Sequence, residues 1–193
     1  PEIRPTSGRF GNTAAGGPVP AGLPISGVAG DQQASLFGQA CFTEGDTKNT
    51  YGTGSFILTN LGAVLPPPVD GLPNTVAWQL SDSDPITYAL EGSVFVAGAA
   101  IQWFRDQLGL ISDSTEIGPL AESVDNTGGV IFVPAFTGLG SPWWDSQARG
   151  TIFGLTRGTG RGELARATVE AMAFQTRDVI EAMKSAGAPP ITE

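Results

Sequence analysis

The chain of 193 residues is long enough to bury one sizeable hydrophobic core, or one domain together with part of another. It carries 19 acidic and 10 basic residues, a formal net charge of −9, and no dense Lys/Arg cluster, so we expect no binding to nucleic acids or anionic membranes. The sequence has no histidine, which excludes Ser-His-Asp triads, Cys-His dyads and zinc sites built on imidazole, so any general base must be Asp, Glu, Lys or Tyr.

Cellular location is predicted mainly from what the sequence lacks. No apolar run approaches the ~20 residues that span a bilayer, and the chain opens on Pro1 without an apolar signal segment. Cys41 is the single cysteine, so no internal disulfide can form, which is typical of a reducing compartment and predicts a cytoplasmic protein. An α/β protein would ordinarily begin another strand at Glu193, so we expect a fragment of a larger protein.

The first quarter of the chain predicts a loop, a strand and a helix. Residues 5–22 are rich in Gly, Pro, Ala and Thr and predict a loop. Residues 23–29 form a short apolar run that predicts a buried strand. In residues 31–42 apolar side chains recur at helical spacing, with Asp31 placed as the N-cap. The polar residues 43–47 then predict a flexible join between two domains.

The rest of the chain predicts alternating strands and helices. Residues 49–59 predict a β-hairpin that turns through Gly52-Thr53-Gly54, where glycine supplies backbone angles that other residues resist. Strands at 75–80 and 86–90 would extend the hairpin into a meander. The remaining predicted elements are a helix from Ser93 to Leu108, a buried strand from Val130 to Pro134 and a long helix from Glu163 to Lys184.

Asp31 is the first candidate for chemistry, and two interpretations of it are open. Asp is a favoured N-cap, so the residue could serve helix stability alone. Alternatively, strand ends in an α/β sheet face the ligand crevice, where a carboxylate can accept a proton from a substrate hydroxyl. Gln32 offers a donor and an acceptor suited to orienting a polyol. Phosphoryl transfer to an alcohol needs such a base together with backbone donors around the transferred group.

Two glycine-containing segments are candidates for holding a nucleotide. Gly52-Thr53-Gly54 could be only a hairpin turn, or its successive N–H groups could form an anion-binding nest to which Thr53 adds a hydroxyl. Gly98-Ala99-Ala100 could be a packing feature, or a flat ligand could lie against it with Gln102 one turn further on. The sequence contains neither a Walker motif nor a Gly-x-Gly-x-x-Gly fingerprint, which disfavours a P-loop or Rossmann protein.

Segments spread over most of the chain match one known family in the right order. They are Gly30 to Gln39, Lys48 to Phe56, Tyr88 to Gly92, Gly98 to Trp103, Val133 to Gly140, Trp144-Asp145, Ala148 to Gly150 and Gly154 to Gly158. In these segments the chain resembles the FGGY family of carbohydrate kinases, and within it the members that phosphorylate glycerol. The resemblance implies an α/β, actin-like or ribonuclease-H-like fold, with ATP and substrate in a cleft between two lobes.

The roles of residues in that family carry over to matching positions. The resemblance implies that Asp31 is the catalytic base for the terminal hydroxyl of glycerol, that Gln32 contacts the polyol and that Phe56 forms an apolar wall. It also implies Mg²⁺ together with ATP, and a homo-oligomer for the full-length enzyme. The residues that would lie along the nucleotide are Thr53, Gly98 and Gln102.

The resemblance divides the chain at the predicted join. Residues 1–39 would end the substrate-binding lobe, residues 40–47 would be the linker, and residues 48–193 would form a truncated nucleotide-binding lobe. The upstream phosphate loop and glycerol-holding residues of the family, and its downstream adenosine clamp, have no counterpart in this sequence. We therefore expect the isolated chain to be inactive.

Two other functions stay open. The chain could belong to another FGGY kinase acting on a sugar or polyol, although Gln32-Gln33 and Asn49-Thr50-Tyr51 favour glycerol. It could also belong to a catalytically silent actin-fold protein used for interaction. The intact Asp31 argues against a silent protein, which has no chemical need for the carboxylate.

Overall fold

Strands and helices are mixed along the chain in the computed structural model, which describes residues 2–191. The strands are β1 (Ser7–Asn12), β2 (Pro24–Gly27), β3 (Thr47–Tyr51), β4 (Ser55–Gly62), β5 (Asn74–Trp78), β6 (Thr87–Val94), β7 (Ile131–Val133) and β8 (Thr151–Phe153). The α-helices are α1 (Asp31–Gly38), α2 (Gly98–Asp106), α3 (Ile117–Glu122) and α4 (Arg161–Ser185), and a short 3₁₀ helix covers Ser114–Glu116. The predicted hairpin at 49–59 and the long C-terminal helix are confirmed.

A four-stranded antiparallel sheet with the spatial order β3-β4-β6-β5 positions the other elements. The predicted meander is wrong, because β6 inserts between β4 and β5. The burial of the strands explains this order: β4 and most of β6 are buried along their length, whereas β5 begins with half-buried residues and exposes Val76. Strands that are apolar on both faces take central positions, and the more polar strand takes the edge.

The two faces of this sheet carry different helices. Successive strand residues point to opposite faces, so Leu58 packs with Leu36 of α1 on one face, and Ile57 packs with Val179 and Met183 of α4 on the other. Beyond the sheet, α2 and α3 pack against α4 through further buried clusters. The result is a layered α/β arrangement that holds α1 over β3 and β4.

Several boundaries differ from those predicted. Part of the predicted loop at 5–22 is β1, which pairs with β2. The predicted helix from 93 begins only at Gly98, because residues up to Val94 pair with β4 as part of β6. Pairing across a sheet is non-local, so it overrides the local helical spacing. The first helix ends at Gly38, before the predicted 42, and Ala40 has a left-handed φ of 59°.

None of the helices in residues 2–191 is both long and apolar enough to cross a membrane. The long helix α4, at 25 residues, is interrupted by charged side chains throughout. Its buried residues face the central sheet and the neighbouring helices.

Candidate functional site

Asp31 begins helix α1, and its carboxylate is exposed. The N-cap is Gly30, so the prediction that Asp31 caps the helix is wrong. The Oδ1 atom of Asp31 accepts the backbone N–H of Gln32 at 2.9 Å, and Oδ2 accepts the side-chain Nε2 of Gln32 at 3.3 Å. A carboxylate at the first turn is favoured by the partial positive charge of the helix N-terminus. It is therefore held in place while it stays open to a ligand.

Lys48 on β3 is a functional candidate that the sequence reasoning missed. Its side chain is only 4% exposed, and its Nζ donates to the Oε1 of Gln32, to Thr50 Oγ1 at 2.9 Å and to the carbonyl oxygen of Phe56 at 3.2 Å. Lysine is rarely buried to this degree. The signal available in the sequence was weak: the chain has two lysines, and this one lies in a predicted strand beside the turn.

The surroundings of Lys48 act on its pKa in opposite directions. Burial lowers the pKa below its ordinary value, because a charged ammonium loses hydration in the interior. The negative charges of Glu91 and Asp31 act against this by favouring the charged form, as does Cys41 to a smaller extent. Glu91 lies across β4, since both Lys48 and Glu91 are paired with Leu58. The site therefore contains a buried cation that the charges of two carboxylates stabilise.

Phe56 lies on the same face of the sheet as this group. It is half-buried, is paired with Thr50 of β3, and packs against the apolar cluster under α1. Its carbonyl oxygen shares the Lys48 ammonium with Gln32. The structure therefore brings Asp31, Gln32 and the backbone carbonyl of Phe56 together around Lys48, while their roles in binding and catalysis stay predictions.

Thr53 and Gly98 also meet, at the turn between β3 and β4. The N–H of Gly98 donates to the carbonyl of Gly52 at 3.0 Å, and the carbonyl of Thr53 accepts from Ala97 at 2.9 Å and from Ala99 at 3.0 Å. A Cβ at position 98 would run into the Gly52 carbonyl oxygen. Gly98 therefore serves a close approach between α2 and the turn.

Gly54 in the turn serves packing rather than an unusual backbone angle. Neither Gly52 nor Gly54 has a left-handed φ, whereas a Cβ at Gly54 would collide with backbone oxygens at the end of β6. The expectation about their backbone angles is thus wrong. Among the residues described, the N–H groups of Thr53 and Gly54 have no partner, so two successive donors and an exposed hydroxyl are open to an anion.

Gln102 belongs to the candidate nucleotide site, together with Thr53 and Gly98. It is exposed on α2, four residues after Gly98, and so lies on the same helical face. Thr50, which accepts a hydrogen bond from Lys48, is paired with Phe56, one residue pair away from the Tyr51–Ser55 pair that flanks the turn. The Asp31–Gln32 pair and the turn that contains Thr53 thus lie at the same end of the β3–β4 hairpin.

Trp144 anchors a loop. Its Nε1 donates to the carbonyl of Gly71 at 2.8 Å, and its ring packs edge-on against Phe95. Trp143 beside it is 62% exposed. These contacts favour a structural role for Trp144 rather than a place in the candidate site.

The chain is similar to known carbohydrate kinases. The C-terminal domain of the FGGY family of carbohydrate kinases matches residues 47–192. A glycerol kinase of Haloferax volcanii is 56% identical over 187 residues, which cover 96% of this chain and 36% of that protein. The chain thus spans little more than a third of the length of this curated relative.

Two solved structures have the same fold. The crystal structure of Plasmodium falciparum glycerol kinase with ADP superposes with a TM-score of 0.88 at 40% identity, over 99% of this chain and 38% of that one. The crystal structure of a xyloylose kinase from Brucella ovis superposes with a TM-score of 0.80 at 26% identity, over 100% of this chain and 39% of that one. The match to the FGGY model over three quarters of the chain settles its family.

Proposed function

The chain belongs to the FGGY family of carbohydrate kinases and has their actin-like, ribonuclease-H-like fold, and from this we propose that it is part of an ATP-dependent glycerol kinase. The complete enzyme would transfer the γ-phosphoryl group of ATP to a terminal hydroxyl of glycerol, giving glycerol 3-phosphate and ADP. The observation that carries the proposal is the exposed Asp31 carboxylate, held by Gln32 at the same end of the hairpin as the open N–H groups of the turn.

In this proposal Asp31 is the general base. Its carboxylate accepts the proton of the attacking hydroxyl as the oxygen approaches the γ-phosphorus, and the bond to the β,γ-bridging oxygen breaks. Gln32 orients the polyol through its amide, and the ring of Phe56 covers the carbon backbone of glycerol. Because such transfer depends almost wholly on positioning and on charge stabilisation, these side chains contribute mainly by fixing the hydroxyl in line.

We assign the nucleotide to the turn at residues 52–54 and the adjoining helix α2. The open N–H groups of Thr53 and Gly54 and the Thr53 hydroxyl would bind phosphate oxygens, and the exposed face of α2 around Gly98 and Gln102 would lie along the rest of the nucleotide. The ADP in the Plasmodium structure supports a nucleotide site in this family.

Mg²⁺ fits this site as a companion of ATP. Across residues 2–191 no group of three or more Asp, Glu, Cys or His side chains is arranged to hold a metal. Mg²⁺ needs no such cage when phosphates supply most of its oxygens and one or two carboxylates supply the rest. The ion would neutralise charge on the transferred group.

The competing functions are weaker. Identity to a glycerol kinase reaches 56%, against 26% for the xyloylose kinase, which favours glycerol over a pentulose. A silent actin-fold protein would not need an exposed carboxylate beside open phosphate-binding donors. We further propose the domain division at residues 40–47, a homo-oligomeric complete enzyme, and a cytoplasmic location, which suits the single buried thiol of Cys41.

A substrate comparison tests the proposal. The complete enzyme that carries this sequence would be assayed with MgATP and either glycerol or xylulose, with ADP release coupled to NADH oxidation. We expect turnover with glycerol and at least tenfold lower kcat/KM with xylulose. Preference for xylulose would establish the alternative kinase, and no turnover with either substrate would favour the silent protein.

We expect the 193-residue chain by itself to phosphorylate no glycerol. It contributes one wall of the proposed cleft, and a base without its opposing groups loses the positioning on which the reaction depends. Purified chain would be incubated with glycerol and MgATP and compared with a no-protein control. Turnover above that control would contradict our assignment of the remaining site residues to other parts of the enzyme.

A further inference from the structure

We propose that Lys48 is a positioning residue: by donating to the amide oxygen of Gln32, it turns the amide NH₂ of Gln32 toward Asp31 and so holds the carboxylate in place. The inference rests on the proposed function, because its consequence is seen in glycerol phosphorylation. It adds a residue to the site that neither contacts substrate nor belongs to the helix that carries the base.

The orientation of the Gln32 amide follows from the chemistry of an ammonium. The Lys48 ammonium has only donors, so the atom of Gln32 that faces it must be the oxygen. The NH₂ group must then point to the other side, where Oδ2 of Asp31 accepts it at 3.3 Å. Lys48 and Asp31 therefore favour the same orientation from opposite sides: a flipped amide would turn its NH₂ toward the ammonium and its oxygen toward the carboxylate, and both contacts would be repulsive.

The same contacts exclude a direct role for Lys48 on substrate. An ammonium has three N–H donors, and here they meet three acceptors: Gln32 Oε1, Thr50 Oγ1 and the Phe56 carbonyl. The side chain is 4% exposed, so a phosphate or hydroxyl has no access to it. Lys48 therefore acts through Gln32.

Burying this charge costs free energy that a neutral side chain of similar length would not require. The negative charges that act on the ammonium are those of Glu91 from β6 and Asp31 from α1, with Cys41 from the segment after α1 acting more weakly. In return for this cost the site gains a fixed array of donors. A purely structural tie between α1 and β3 is the competing explanation.

A double-mutant cycle separates the two explanations. The complete enzyme would be prepared as wild type, Lys48→Met, Gln32→Ala and the double variant, and kcat and KM for glycerol and for ATP would be measured for each. If Lys48 acts through Gln32, Lys48→Met lowers kcat/KM for glycerol by about 10–10²-fold in the wild-type background and by less than about twofold when Gln32 is already Ala. A structural role predicts the same loss in both backgrounds.

The chain offers a matched control in its second lysine. Lys184→Met removes the same charge from an exposed side chain that pairs with Glu181 at 2.9 Å, and it should leave both kinetic constants unchanged. Lys48→Arg, which keeps the charge and the donors, should recover part of the activity that Lys48→Met loses. Thermal melting would verify that each variant is folded.

Every outcome of this experiment decides the matter. Equal losses in both backgrounds, or no loss in Lys48→Met, would overturn the inference alone. If Lys48→Met does not fold, Lys48→Gln takes its place in the cycle, and failure of both to fold would establish the structural role instead. A wild-type enzyme without glycerol kinase activity would overturn the proposed function and this inference with it.

Discussion

Asp31→Asn is expected to lower kcat for glycerol phosphorylation by the complete enzyme by about 10²–10⁴-fold, while nucleotide binding stays intact. The amide is nearly the same size as the carboxylate and can still meet the N–H of Gln32 through its oxygen. It cannot accept the proton of the substrate hydroxyl. Steady-state kinetics with glycerol, together with calorimetric titration of ADP, would measure the two effects separately.

Asp178→Asn provides the control for this substitution. Asp178 is also exposed, but it lies on α4, which packs on the other face of the central sheet from α1. The same chemical change there should leave turnover unchanged. If Asp31→Asn kept more than half of the wild-type turnover, Asp31 would have no part in the mechanism.

Gly98→Ala is expected to disrupt the nucleotide half of the site through a single added carbon. The new Cβ would collide with the backbone carbonyl oxygen of Gly52, which cannot move without disturbing the turn. The start of α2 must shift away, and its hydrogen bonds to the carbonyls of Gly52 and Thr53 weaken. Because small misplacements are costly in positioning-dependent catalysis, we expect kcat/KM for ATP to fall by about 10²-fold. Overpacking should also cost about 1–3 kcal/mol of stability.

The matched control for this prediction is Gly38→Ala. Gly38 is likewise a helical glycine, at the end of α1, but a Cβ built there meets nothing within 4 Å. Alanine is the better helix former, so this variant should be as stable as wild type or slightly more stable, with unchanged kinetics. Equal effects of the two substitutions would argue that the contact between α2 and the turn is unimportant.

The sequence by itself determined the parts of this protein that depend on local pattern. The hairpin around residues 52–54 and the helix α4 follow from turn residues and from apolar periodicity, both of which act over a few neighbours. The lack of histidine limited the possible bases, and the matching segments led to the FGGY family. The positions of Asp31, Gln32 and Phe56 were also chosen from the sequence, and the structure brings them together.

Only the tertiary structure decided what depends on distant segments meeting. The insertion of β6 between β4 and β5 is set by which strands can be buried on both faces, a property of the whole sheet. In the sequence Lys48 is an ordinary polar residue of a strand, and only the structure shows that α1 covers β3 and buries its ammonium. In the sequence Gly98 is only an unfavourable residue for a helix, whereas the structure shows that its close contact with the Gly52 carbonyl requires glycine. Burial and close approach are set by packing between distant segments, so local sequence pattern does not encode them.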